Sequence, residues 1–233
     1  MEYFSNFIWE QGQREKNEDS LCLQQNIKNS TCYIMGTVCD GIGGLNQGED
    51  ASSYTVNCMH EVFYELVKKN RKFTNRKIRN MVYRRIYQCH RKLQNYGREH
   101  RIQLGTTLSM ILLIGRKGYL FHVGDSAVFY GRRKLKRVTP IQHTDFGSLA
   151  QAIGIGKSPK VFFRCMQIKK GSVLLIASDG FYKKAEKDLC SREWIKSINY
   201  NENEIGRLLH RTKEKVQELG EKDNISAICI KVQ

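Results

Sequence analysis

Proline is nearly absent: Pro140 and Pro159 are the only two in 233 residues. No stretch reads as a stiff proline-rich linker, and no Gly/Ser-rich or low-complexity tract supplies a flexible one. One domain spanning residues 1–233 is therefore expected. Long apolar runs are missing too. The longest, such as 110–114 and 173–177, fall far short of the roughly 20 residues a helix needs to cross a bilayer. The first residues show no basic segment leading into an apolar core, which argues against a secretory signal. Cysteine is present eight times, but no C-x-x-C pair and no zinc-type spacing occurs. Several of these cysteines interrupt apolar runs, the habit of buried free thiols in a reducing compartment. A cytoplasmic protein without membrane association is expected. Acid is also short, with 23 Asp and Glu against 39 Lys and Arg, a net charge of +16. Such a balance brings nucleic acid, anionic membrane and acidic proteins into consideration as partners.

What is present is a chain of short β-type runs interrupted twice by helical periodicity. Runs at 3–9, 20–25, 31–38, 106–114, 118–123, 127–131, 161–168, 172–177 and 225–232 read as strands, with Gly115 to Gly118 as a hairpin turn. Tyr54, Cys58, Val62 and Leu66 recur at helical spacing, as do Ile78, Val82, Ile86, Cys89, Leu93 and Tyr96. A third helix carries Ile205, Leu208, Leu209, Thr212, Val216 and Leu219, and Gly97 and Gly220 are expected to end the second and third. Two helices in the middle and one before the last strand make an α+β chain, not an alternating βαβ one. Layered antiparallel sheets flanked by helices follow.

Two phosphate-loop patterns fail on inspection. G-x-G-x-x-G counted from Gly41 requires glycine at position 46, which is Asn46, and Gly156-Lys157-Ser158 lacks the leading glycine at Gln151. The basic stretch over residues 68–101, from Lys68 to Arg101, has Glu99 as its only acid. Its regular apolar stripe reads as the solvated face of amphipathic helices. The competing reading, an electrostatic surface for nucleic acid, lacks a recognisable motif and interleaved aromatics.

The informative recurrence is of carboxylates at strand ends. Cys39-Asp40-Gly41, Gly124-Asp125 and Ser178-Asp179-Gly180 each follow an apolar run and touch a glycine. Asp223-Asn224 precedes the last strand, and Glu18-Asp19 lies beside an early one. One Asp-Gly is an ordinary turn. Several termini meeting at one sheet edge would make a carboxylate cluster whose pKa values rise by mutual repulsion. Keeping it ionised takes cations, and an all-oxygen set without His or Cys selects hard ions such as Mg2+ or Mn2+. Adjacent glycine lets the backbone come close enough for a carbonyl to join the coordination. Two such ions about 4 Å apart are a device for hydrolysing phosphate esters.

At these residues the chain resembles the metal-dependent protein phosphatases of type 2C, the PPM family, in their bacterial form. Arg14-Glu15-Lys16-Asn17-Glu18-Asp19 resembles the R-x-x-N-[QE]-D opening, and Asp40 to Gly44 resembles D-G-x-G-G. Gly105-Thr106-Thr107, Val123-Gly124-Asp125-Ser126, Ser178-Asp179-Gly180 and Asp223-Asn224-Ile225 continue the series in order. The resemblance implies a four-layer α-β-β-α sandwich, two packed antiparallel sheets flanked by helices, with two Mn2+ or Mg2+ ions at one end. By position, Asp40 would bridge the ions and Gly41 would offer its carbonyl. Asp19 would hold a metal through water, Asp179 and Asp223 would ligate the first metal, and Glu18 would support the shell. Arg14 would clamp the phosphate with its planar guanidinium. Asp125 with Asp179 matches a third, weaker metal position. Thr106 and Thr107 read as structural. The implied activity is hydrolysis of phosphoserine and phosphothreonine in proteins, the substrates of a cognate Ser/Thr kinase, by an activated water without a phosphoenzyme.

The chain departs from the pattern at Ile42, where some members carry histidine as a candidate general acid. The segment between Asp125 and Asp179 is short for a substrate flap, and His143 within it reads as a loop residue. A catalytically weak pseudophosphatase serving as a binding module is the alternative. The presence of Asp19, Asp40, Asp179, Asp223 and Arg14 argues against it. The basic helices are expected to attract acidic phosphorylated substrates.

Overall fold

A computed structural model describes residues 2–42, 47–69, 73–142, 151–198 and 201–233. The chain opens with β1 (Tyr3–Glu10), β2 (Asp19–Lys28) and β3 (Thr31–Asp40), followed by the long helices α1 (Gly48–Lys69) and α2 (Asn75–His100). Strands β4 (Leu108–Ile114), β5 (Lys117–Val123), β6 (Ala127–Gly131), β7 (Lys136–Arg137), β8 (Phe162–Gln167) and β9 (Val173–Ala177) come next. The short helices α3 (Asp179–Tyr182), α4 (Glu186–Leu189) and α5 (Arg192–Lys196) lead to α6 (Glu202–Glu218) and β10 (Ile225–Val232). No helix among the described residues is long and apolar enough to cross a membrane.

The strands form two antiparallel five-stranded sheets, in the orders β1-β10-β9-β6-β7 and β2-β3-β4-β5-β8. Alternation along each central strand assigns its side chains to two different layers. On β3, Cys32, Ile34 and Val38 face the other sheet, while Tyr33, Met35 and Cys39 face α1 and α2. On β10, Ile228, Ile230 and Val232 join the inter-sheet core, and Ile225, Ala227 and Cys229 pack under α3 to α6. Strands covered on both faces carry the near-continuous apolar runs seen in the sequence. The result is the expected α-β-β-α sandwich with three apolar layers.

Gly36 is a contact point between the sheets: a Cβ there would lie 2.7 Å from Cδ1 of Ile176. Gly36→Ala should therefore destabilise the domain by about 1–3 kcal/mol, as overpacking of a tight core does. A shift of the urea midpoint at constant slope would measure it, and an unchanged midpoint would refute the close packing.

Two sequence expectations are corrected. Gly97 does not end α2; the helix runs through it to His100, and Arg101 in the left-handed region (φ 56°) caps it. Gly97 is there because the chain folds back over it. The Ile102 carbonyl oxygen would lie 2.7 Å from a Cβ at this site, and the Ile102 N–H bonds to the Gly97 carbonyl at 2.9 Å. The strand expected from Thr106 begins at Leu108, because Thr106 is drawn into separate bridges to Gly41 and Ile153. Helices α3 to α5, of four or five residues each, are too short to show a period and were not anticipated. Gly220, by contrast, ends α6 as expected, with φ 78° and its N–H on the Gln217 carbonyl. All eight cysteines are free, and five of them are buried. On α2 the basic side chains Arg76, Lys77, Arg79, Arg84, Arg91, Lys92 and Arg98 point to solvent, while Ile78, Val82, Ile86 and Leu93 are buried.

Candidate active site

Antiparallel pairing places the end of one strand beside the start of its neighbour, and at one end of the sandwich these termini bear carboxylates. Asp40 is the last residue of β3 and Asp19 the first of β2, and they are direct register partners. Asp125 lies in the β5–β6 turn, Asp179 opens α3 directly after β9, and Asp223 immediately precedes β10.

The backbone of Asp40 is held from several sides. Its N–H donates to Thr107 Oγ1 at 3.0 Å. Its carbonyl accepts from Thr106 Oγ1 at 2.9 Å and from the Thr107 N–H at 2.9 Å. Thr107 is coupled in turn to the β5–β6 turn through a 2.6 Å contact between its hydroxyl and that of Ser126. Thr106 and Thr107 are thus structural, as expected, but their task is specifically to fix Asp40. Gly41 follows where nothing larger fits: a Cβ would lie 2.4 Å from the Gly48 carbonyl oxygen and 2.7 Å from that of Glu18.

Asn224 organises the opposite wall. Its Oδ1 accepts the Glu18 N–H at 2.9 Å, and its Nδ2 donates to the carbonyls of Gln11 and Lys16 at 2.7 and 2.9 Å. It staples the loop carrying Arg14 and Glu18 to the start of β10. Sequence reasoning placed Asn224 only inside a motif; its role depends on partners more than 200 residues away. The Glu18 carboxylate accepts a hydrogen bond from the Gly48 N–H at the start of α1, so it anchors that helix beside Asp40. Ser52, one turn into α1, adds a 2.6 Å hydrogen bond to the Glu18 carbonyl.

The electrostatics are those of a crowded acidic cleft. Asp19 is only 1% exposed, and neither of its carboxylate oxygens makes a hydrogen bond. Burial pushes its pKa up to about 7; the nearby Ser226 and Ser178 hydroxyls oppose the rise, and the charges of Asp179 and Asp223 add to it. Burial also holds Asp40 well above the usual carboxylate range, reinforced by Asp19, Asp179, Asp125 and Asp223 in that order. Glu18 is raised as well, by burial and then by Glu49. Repulsion of this kind shows that the carboxylates sit within each other's field.

Among the described residues, two side-chain cations answer it. Arg14 binds Asp223 with both prongs, Nε to Oδ1 at 3.0 Å and Nη2 to Oδ2 at 2.9 Å. Lys183 Nζ lies 2.6 Å from Asp179 Oδ2 and 3.9 Å from Asp125 Oδ2. Among the described residues, no group of three His, Cys, Asp or Glu stands in ligand-set geometry.

The domain shares its fold with several solved structures. The S. agalactiae serine/threonine phosphatase matches with TM-score 0.80 and 18% identity, over 100% of both chains. Serine/threonine phosphatase Stp1 from Staphylococcus aureus gives 0.82 and 18%, over 100% of this chain and 96% of that one. The catalytic domain of PstP, in complex with two manganese ions, gives 0.77 and 19%, over 99% and 98%. At such identities these likenesses speak for the fold. No curated protein matches the chain by sequence. The sequence profile of the protein phosphatase 2C family, however, matches residues 11–219. The chain belongs to the protein phosphatase 2C family.

Within this phosphatase 2C domain the profile match stops before Asp223 and β10, so that wall of the cleft rests on the three-dimensional arrangement. Beside Asp40, Ile42 lines a groove of about 350 Å3 together with Gln151, Ala152, Ile155 and Lys157. His143, Gly43 and Gly44, named from the sequence, lie outside the described residues. His122, which the sequence did not single out, is fully buried next to the β5–β6 turn. Its Nδ1 lies 2.9 Å from Ser109 Oγ, and burial, aided by Arg137, lowers its pKa to about 4.

Proposed function

We propose that residues 1–233 form a single catalytic domain that hydrolyses phosphoserine and phosphothreonine in proteins with two divalent cations, Mn2+ or Mg2+. The observation that carries this reading is Asp19. A buried carboxylate with two unsatisfied oxygens, directly across the ladder from another raised carboxylate, is costly unless a cation faces it. The donor set suits a hard divalent ion, since Asp19, Asp40, Asp179, Asp223 and the Gly41 carbonyl all present oxygen.

In this reading Asp40, the Gly41 carbonyl, Asp179 and Asp223 would hold the two ions, and Asp19 would support them from behind. Two ions so held lower the pKa of a water molecule and stabilise the charge of an in-line displacement at phosphorus. The other roles belong to the chain itself. Thr106 and Thr107 keep Asp40 from shifting, because both of its backbone polar groups are tied. Glu18 fixes the start of α1 beside it. Arg14, 54% exposed, would offer to a phosphate the same two-pronged face that it gives Asp223. The groove next to Ile42, with Lys157 on its rim, accommodates peptide flanking the phosphorylated residue. Ile42 has no proton to give, so protonation of the departing seryl oxygen falls to water or another group. The protein would act in the cytoplasm on phosphoproteins of a cognate Ser/Thr kinase.

The test is hydrolysis of p-nitrophenyl phosphate and of a phosphothreonine peptide by protein stripped with EDTA. No turnover is expected until Mn2+ or Mg2+ is restored. Full turnover in the chelator would overturn the reading.

A further inference from the structure

We propose that Lys183 is a resident cation of the centre: its ammonium neutralises the Asp125–Asp179 pair and keeps a further divalent ion off those two carboxylates. The inference rests on the two-ion reading for its setting and adds to it how many ions this chain accepts.

The geometry begins with α3. Asp179 opens this helix and Lys183 caps it, four residues later, with its backbone N–H on the Asp179 carbonyl at 2.9 Å. Residues four apart on a helix lie on one face. The ammonium therefore reaches its own helix's first carboxylate, at 2.6 Å. An exposed pair at this spacing would be unremarkable. Here the carboxylates of Asp179 and Asp125 are only 18% and 13% exposed, and the second comes from a turn 54 positions upstream of Asp179.

That turn is delivered to the end of α3 by dedicated contacts. The Tyr182 hydroxyl donates to the Asp125 carbonyl at 2.9 Å, and Arg137 Nη2 donates to the same oxygen at 3.2 Å. The Arg137 guanidinium lies over the Tyr182 ring, 4.7 Å from its centre. Asp125 is thus held against α3 by backbone, and the charge of its carboxylate is met by Lys183 at 3.9 Å. Two carboxylates converging in a low-dielectric cleft need a positive charge between them. The chain supplies it on a tether, at an effective concentration on the order of millimolar. A divalent ion could settle on Asp125 and Asp179, the pair that the resemblance gives to a third metal, only by displacing the ammonium.

The experiment is to count Mn2+ sites by calorimetry and by electron paramagnetic resonance on the full chain, for wild type, Lys183→Met, Lys183→Arg and the double variant Lys183→Met/Asp125→Asn. Lys183→Met keeps the stem and removes the charge; thermal melts in EDTA confirm that it folds. Lys183→Met should bind one Mn2+ more than wild type, weakly. Lys183→Arg should match wild type, and the double variant should lose the extra site. Equal counts in wild type and Lys183→Met, or an extra site that survives Asp125→Asn, would overturn the inference. Because the result is a difference between variant and wild type, it stands apart from the two-ion reading, which fails if wild type itself does not bind two.

Discussion

Replacing Asp40 by Asn is expected to lower kcat/KM for a phosphothreonine peptide by about 10³-fold or more, with the fold intact. The substitution keeps the shape of the side chain and removes its charge. The backbone at this position is tied by Thr106, Thr107 and the flanking Gly41 to Glu18 hydrogen bond, none of which involves the carboxylate. The structure therefore has no reason to change. What changes is the negative charge at the point where Asp19, Asp125, Asp179 and Asp223 all converge electrostatically. Metal-assisted charge stabilisation contributes several kcal/mol to such a transition state, and each 1.36 kcal/mol is a factor of ten. The measurement is steady-state kinetics at saturating Mn2+, beside a melting curve in EDTA. Activity within threefold of wild type would remove Asp40 from the chemistry.

The second large effect is a reversal of stability. In the absence of divalent ions, Asp19→Asn should be more stable than wild type at pH 8 and lose that advantage near pH 4. The sign follows from proton linkage. The carboxyl of Asp19 takes up its proton near pH 7 in the fold and near 3.8 when unfolded. Between these values the folded state binds more protons, so wild-type stability falls as pH rises, and the penalty is complete above about 7. At about 1.4 kcal/mol for each pH unit, the window corresponds to at most about 4 kcal/mol. Asparagine does not titrate, so its profile lacks this slope. Saturating Mn2+ should invert the order at pH 8, because ligand binding to the folded state stabilises it and the variant has lost part of the site. Urea unfolding from pH 4 to 8, with and without Mn2+, measures both effects. Parallel pH profiles for the two proteins would show that Asp19 is not held at a charge cost.

Much of this arrangement was legible before the fold. The alternation of β3 and β10 and the period of α1, α2 and α6 reported the layers, because a strand or helix buried on a given face must carry apolar residues at the matching interval. The repeated Asp at strand ends, some beside Gly, marked the cleft, since a carboxylate at the end of a buried strand is an expense that turns seldom require. Other features had no local signature. Gly97 looked like a helix stop and is an intrahelical contact point, which depends on where Ile102 returns. Asn224 looked like a motif companion and is the staple of a loop at the far end of the chain. Lys183 looked like one more basic residue in a chain of net charge +16.

The sequence by itself determined the types of the long elements, the layering and the identity of the acidic residues, because periodicity and residue chemistry are local properties. Only the tertiary structure decided which cation meets which carboxylate. Register alone sets Asp19 across from Asp40, and packing of α3 against the β5–β6 turn brings Lys183 to Asp125. Such pairings span tens to hundreds of residues, and their energies depend on distance and burial, quantities that exist only once the chain has folded.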